Sequence, residues 1–452
     1  MIRRVHWAFL ALAFMAVSWI ASRAADAPVP TKTGIDAAAD ANRKAADLIA
    51  DLSSPDYRLR ERAGRELARR GELVLTELRA ALAATDDPEA SRRLGVLVRK
   101  LEHDRLVAPK RVTLHLKDKP LKEAIDSIAK QTGYRIDFNT NRGETTYTFD
   151  MDDVPFWQAI DLVGNAGGLT IYPEHEEDGS IRAYEQDSFN PHVAYSGPFR
   201  FLATNISSNR NLQLSGLNRR GGGRNQNEQI NLNFQIQSEP KTPILATTFT
   251  ELTSAVDDTG ASLTPPANDP NFSQRSSYYN GGYRGYNVYA NMNLFRGGRG
   301  ATIAKSIKGK VGVQMLAGTR PELIVADPVG LKSKKVVGRS VELHIESLTE
   351  NNNQYSLSIT VKKLGSSGNE HDYAWSNNVW QKLELLDDKG QKLKNNGANN
   401  QNNTPNVVQM SMTFSRDDRN GKKVGKPVKL IYNEWITAVT EVPFEFKDIP
   451  LP

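Results

Sequence analysis

A stretch that repeats at a constant offset constrains this chain more than any other feature. The segment VTLHLKDKPLKEAIDSIAKQTGYRI, from Val112 to Ile136, returns as YTFDMDDVPFWQAIDLVGNAGGLTI from Tyr147 to Ile171. Asp118 falls on Asp153, Pro120 on Pro155, Ala124-Ile125-Asp126 on Ala159-Ile160-Asp161, and Gly133 on Gly168. Two copies of one pattern must build two related substructures.

Each copy opens with alternation. Val112, Leu114 and Leu116, like Tyr147, Phe149 and Met151, are separated by single residues, the period of a half-buried strand. Leu121, Ala124, Ile125, Ile128 and Ala129 then recur at helical spacing, as do Phe156, Ala159, Ile160 and Val163. Pro120 and Pro155 suit a first turn, and Asp118 and Asp153 stand where they would accept bonds from free amides. Gly133 and Gly168 offer the left-handed conformation that ends a helix. A second short strand follows each: Tyr134–Phe138 and Leu169–Tyr172. The expectation is two βαβ units on one small core.

The phrase LHLKDKPLKEAIDSIAKQTGYRIDF is similar to the strand, D-x-P-L, amphipathic helix and T-G opening of the secretin and TonB short N-terminal domain. The resemblance covers about Pro109 to Tyr184. It implies a periplasmic docking module that receives a partner protein and carries no catalytic residues. No pore-forming repeats, plug or membrane barrel follow Tyr184, so channel and receptor functions are not implied.

Arg3 and Arg4 precede an apolar run from Trp7 to about Ala21, and Ser22-Arg23-Ala24 suits a cleavage site, so residues 1–24 read as a signal peptide cut near Ala24. No apolar stretch reaches the roughly 20 residues of a spanning helix. The expected location is a bacterial periplasm or cell envelope. With no cysteine, the protein must be held by core burial rather than disulfides. The formal charge of +6 loses three arginines with the signal, leaving +3, which does not favour a nucleic-acid partner.

Residues 25–34 read as a Pro, Ala and Thr linker. From 35 to 108 the chain turns to Ala, Leu, Arg and Glu, broken at Ser53-Ser54-Pro55, Gly71 and Asp86-Asp87-Pro88. This predicts helical hairpins and resembles a HEAT-type pair. Its arginines, among them Arg58, Arg62, Arg65, Arg69 and Arg70, alternate with acids, as on a solvated helix face. The duplicated domain follows at 109–187.

Beyond Tyr184 the alternation is that of strands. Ile230, Leu232, Phe234 and Ile236 interleave with amides; Tyr355, Leu357, Ile359 and Val361, and Val408, Met410, Met412 and Phe414, repeat the pattern. AVDDTGASL from Ala255 returns as LLDDKGQKL from Leu385, each Asp-Asp-x-Gly suiting a tight turn. Two β-sandwich domains are expected, at 190–330 and 331–452. Three low-complexity stretches, the insertion at 265–300, Asn395–Asn406 and Arg219–Arg224, read as mobile loops. The fold class expected overall is multidomain α+β. The arrangement, with its tail TEVPFEFKDIPLP from Thr440, also resembles multidomain exported proteins of planctomycete-type bacteria, a resemblance that carries no activity with it.

No nucleophile elbow, phosphate loop or dinucleotide fingerprint appears. No histidine has a second at metal-ligand spacing, and His175-Glu176-Glu177-Asp178-Gly179 reads as a polar hairpin tip. Catalytic residues, cofactors and metals are therefore not expected. The candidate contact residues are Tyr278, Tyr279, Tyr283, Arg284 and Tyr286, aromatics and a cation among glycines. The reading is a non-enzymatic envelope protein that docks a protein partner through the duplicated domain, with glycan or peptide recognition by β-sandwich loops as the alternative.

Overall fold

The computed structural model describes residues 43–174, 179–185, 190–212, 226–265, 275–276, 280–296, 300–352, 354–365, 375–417 and 423–452. The expected signal peptide and linker, the tip at 219–224 and the polar tip at 175–178 lie outside them. The chain divides at Val98 into two compact units.

The expected α+β class with HEAT-like hairpins is corrected by this structure. Strands hold 53% of the described residues and helices 25%. The N-terminal helices Ala45–Asp51, Tyr57–Arg70, Leu75–Ala84 and Pro88–Val107 have unequal lengths, and a 3-10 turn at Gly71–Val74 interrupts them, so no repeating pair is built. An Ala, Leu and Arg composition specifies helix without specifying a repeat. The arginines do meet acids: Arg69 and Arg70 reach Glu66 at 2.7 and 3.0 Å, and Arg93 reaches Glu61 and Glu89 at 2.8 and 2.7 Å.

In the second unit, each copy of the repeat does run strand, helix, strand: Arg111–Pro120, Leu121–Thr132 and Ile136–Phe138, then Thr146–Pro155, Phe156–Gly167 and Leu169–Pro173. The strands of one copy do not share a sheet, however, which corrects the βαβ expectation. The two leading strands pair with each other, antiparallel, and the two trailing strands flank Ile181–Glu185 in a separate sheet. The ribbon has pseudo-twofold symmetry. Leu114 pairs with Met151 and Leu116 with Phe149. Phe149 is the repeat equivalent of Leu114 and Met151 that of Leu116, so the dyad exchanges one pairing for the other.

Asp118 and Asp153 do not cap the helices; the caps are Pro120 and Pro155, without side-chain bonds. Both aspartates instead sit in bulges with φ of 50° and 48°, a left-handed conformation that aspartate tolerates better than most residues. Their backbone N–H groups donate across the dyad, Asp118 to Thr148 Oγ1 at 3.1 Å and Asp153 to Thr113 Oγ1 at 3.0 Å. Each copy thus stabilises the other's bulge. Gly133 and Gly168 end their helices with φ of 74° and 64°. Ile125 and Ile160, both fully buried, share one core with Phe156 and Trp157.

The rest of the second unit is two sheet-on-sheet cores. In the first, a sheet ordered Asn287–Phe295, Gln226–Ser238, Phe199–Leu212, Val193–Ser196 faces Ile244–Asp257 and parts of Ile303–Ala326 and Lys429–Pro450. In the second, a sheet ordered Lys332–Val337, Val341–Asn351, Gln354–Lys363, Val407–Ser415, Lys394–Asn403 faces Leu383–Leu386 and the remaining parts of those two long strands. Phe444 and Phe446 lie in the first core, while Leu430 and Tyr432 of the same strand lie in the second. The cores therefore do not divide at residue 330.

Parts of two stretches expected to be loops are strands. Val288, Ala290, Met292 and Leu294 alternate into the first core, and Lys394–Asn403 pairs with Val407–Ser415 as an exposed edge. Asparagine-rich composition masks the alternation. The Asp-Asp-x-Gly segments form matching turns: Asp257 Oδ1 accepts from the N–H of Thr259 and Ala261, both at 2.9 Å, and Asp387 Oδ1 from those of Lys389 and Gln391 at 2.9 and 2.7 Å.

Candidate functional site

Alternation along Phe199–Leu212 sends Phe199 and Phe201 into the first core and leaves Arg200 and Leu202 on the sheet's other face. The next strand does likewise, burying Phe234 and Ile236 in the core while Gln235 and Gln237 face away. That outer face would ordinarily meet water. Here the helix Phe156–Gly167 of the second repeat copy lies against it, and Arg200 is only 4% exposed.

The guanidinium satisfies several acceptors of the duplicated unit and of its own sheet. It pairs with Asp161, donates from Nη2 to the carbonyl of Ile171 at 2.5 Å, and donates from Nε to Gln237 Oε1 at 3.0 Å. Its carbon lies 4.2 Å from the Trp157 ring centroid. The indole N–H donates to the Pro198 carbonyl at 3.1 Å. Tyr195 donates to the other Asp161 oxygen at 2.7 Å; burial, and then the Asp161 charge, raise the pKa of its hydroxyl. The planar guanidinium offers five donors in a fixed fork, enough to serve all of these acceptors at once.

A second buried polar contact joins the same two parts. Glu239, fully buried, accepts from the Tyr134 hydroxyl at 2.6 Å and from the Lys110 N–H at 3.1 Å on both oxygens. Burial raises its pKa above the ordinary carboxylate value.

Beside the Arg200–Asp161 pair opens a cleft of about 930 Å³. Tyr172 and Tyr184, from neighbouring strands of the duplicated unit, meet edge to face at 5.2 Å and 87° along it. Asn165, Asn190, Gln235, Gln237 and Asn287 supply amides. The buried Oδ1 of Asn287 has no hydrogen-bond partner among the described residues. The one acid and the one arginine of the lining neutralise each other, so the cleft is polar, aromatic and without net charge.

The contact residues expected from the sequence lie elsewhere, and none of them lines this cleft. Tyr278 and Tyr279, and the side chain of Tyr283, fall outside the described residues. Arg284 is half-buried and its backbone is bonded to Gln381, N–H to Oε1 at 2.6 Å. Tyr286 is 2% exposed, which removes it as a surface contact. Among the described residues no group of three or more His, Asp or Glu is placed to hold a metal ion. Among them, too, no helix is long and apolar enough to cross a membrane. Comparison with protein-family models and with curated proteins returns no match to this chain.

Proposed function

We propose that this chain is a non-catalytic recognition protein of the cell envelope whose ligand, a hydroxyl-rich saccharide, occupies the cleft between the duplicated unit and the first sheet-on-sheet core. The observation that carries this reading is the lining: tyrosine rings and five amides around an internally neutralised ion pair. Amides both donate and accept, as hydroxyls do, and tyrosine offers a rigid apolar face with a polar rim. A neutral polar ligand matches these groups better than a polyanion or a charged peptide. At about 930 Å³ the cleft lies at the upper end of ordinary ligand sites, with room for more than one sugar ring.

The test is a glycan array probed with the full chain, followed by calorimetry with the best-scoring oligosaccharide. Tyr172→Ala and Tyr184→Ala should each weaken binding by about tenfold or more, a loss of about 1.4 kcal/mol. Absence of any glycan binding, or binding indifferent to both substitutions, overturns the proposal.

A second reading, docking of an envelope protein on the duplicated unit, is favoured by the leading-strand ribbon, where the side chains of Asp150 and Asp152 beside His115, and of Asp153 beside Arg111, are 84, 80 and 78% exposed. A pull-down from envelope extract lost on Asp150→Asn/Asp152→Asn, but retained by the tyrosine variants, would favour that reading over the saccharide one.

A further inference from the structure

A separate cavity of about 130 Å³ lies in the second core region, lined by Glu322, Lys363, Trp375, Lys382, Tyr432 and Trp435 among others. Lys382 is the last residue of the 3-10 helix Ser376–Lys382, where the chain turns into the strand Leu383–Leu386. Its ammonium stands 5.1 Å from the Trp435 ring centroid. Among the described residues that nitrogen has no hydrogen bond and no ion pair. The two carboxylates nearby are bound to other groups. Glu322 accepts from the Ser340 N–H at 2.5 Å and its hydroxyl at 2.6 Å, and Glu434 is held by Arg320 and Arg339 at 2.5 and 2.6 Å. Lys363, the other cation of the lining, stands over Trp375 at 5.9 Å.

We propose that Lys382 is a nucleophilic amine that captures small aldehydes in this cavity as an imine. Desolvation and the lack of an ion-pair partner favour the neutral amine, the form with a lone pair to give. Desolvation lowers its pKa to about 8, while the charges of Glu322 and Glu434 oppose and that of Lys363 assists. The step balances without another reagent. The nitrogen lone pair forms a bond to the carbonyl carbon, the carbonyl oxygen departs as water, and both protons of the neutral amine leave with it. This site is independent of the saccharide cleft.

The experiment is competitive labelling of the full chain with glycolaldehyde and cyanoborohydride at pH 7.5, mapped by peptide mass spectrometry. Lys382 should label at least about tenfold faster than the exposed Lys332, Lys334 and Lys335, because a pKa of about 8 leaves a sizeable fraction of it neutral at pH 7.5. Its rate should level off above about pH 8. Comparable or slower labelling of Lys382, or a rate still climbing tenfold per pH unit above pH 9, overturns the proposal. Because the comparison is made within the unaltered protein, no variant has to fold for the result to count.

Discussion

Replacing Arg200 by leucine removes one of the buried polar groups that join the duplicated unit to the first core. Leucine preserves most of the apolar stem, so the loss isolates the guanidinium. What disappears is an ion pair with Asp161, bonds to the Ile171 carbonyl and to Gln237, and the stacking on Trp157. Removing one member of a buried ion pair typically costs about 3–5 kcal/mol, since the partner charge stays behind uncompensated. Asp161 retains the Tyr195 hydroxyl at 2.7 Å and is 18% exposed, so water can reach it. The lower end, about 3 kcal/mol, is therefore expected. Urea unfolding of the full chain, followed by tryptophan fluorescence, measures it without the ionic screening that guanidinium would add. A cycle with Asp161→Asn adds the stricter check, because the double variant should recover at least about 1 kcal/mol relative to the sum of the single losses. An Arg200→Leu protein within about 0.5 kcal/mol of the parent, or a strictly additive cycle, would refute the view that this pair holds the cleft together.

Ile125→Ala and Ile160→Ala should each cost about 2–5 kcal/mol and should resemble each other, because both are fully buried at equivalent sites of one core; urea midpoints compare them directly. Leu294→Asn should lower the urea midpoint sharply, since Leu294 is fully buried in the first core, and a neutral outcome would return Asn287–Phe295 to the status of a dispensable loop. Glu239 has a folded-state pKa raised by burial. Its folded form therefore binds its proton more tightly than the unfolded chain does, and its contribution to stability must fall as pH rises past the ordinary carboxylate value. Stability measured against Glu239→Gln from pH 4 to pH 8 should show the parent losing ground with rising pH, and a parent that gains ground would reverse the assigned direction.

The cleft is partly legible in residues that the sequence singles out for other reasons. Asp161 belongs to the repeated Ala-Ile-Asp triplet, and Tyr172 to the second trailing strand. Arg200 is hidden because a cation between two core phenylalanines reads as the wet side of a strand, and nothing local says that a helix from another segment will cover that side. The loop expectation for Asn287–Phe295 fails for a related reason. Glycine and asparagine set the composition of 265–300, yet burial depends on alternation, and Val288, Ala290, Met292 and Leu294 alternate.

Local chemistry by itself determined which residues form helices and strands in the repeat, where Gly133 and Gly168 end the helices, and that each Asp-Asp-x-Gly closes a turn. These outcomes depend on neighbours a few residues away, so the order of residues suffices to specify them. Only the tertiary structure decided that the leading strands pair with each other across a dyad, that Lys429–Pro450 serves two cores, and that Arg200 is buried against Trp157. Strand partners far apart in the chain are selected by which apolar faces can be buried together, a property of the assembled fold that local alternation leaves open.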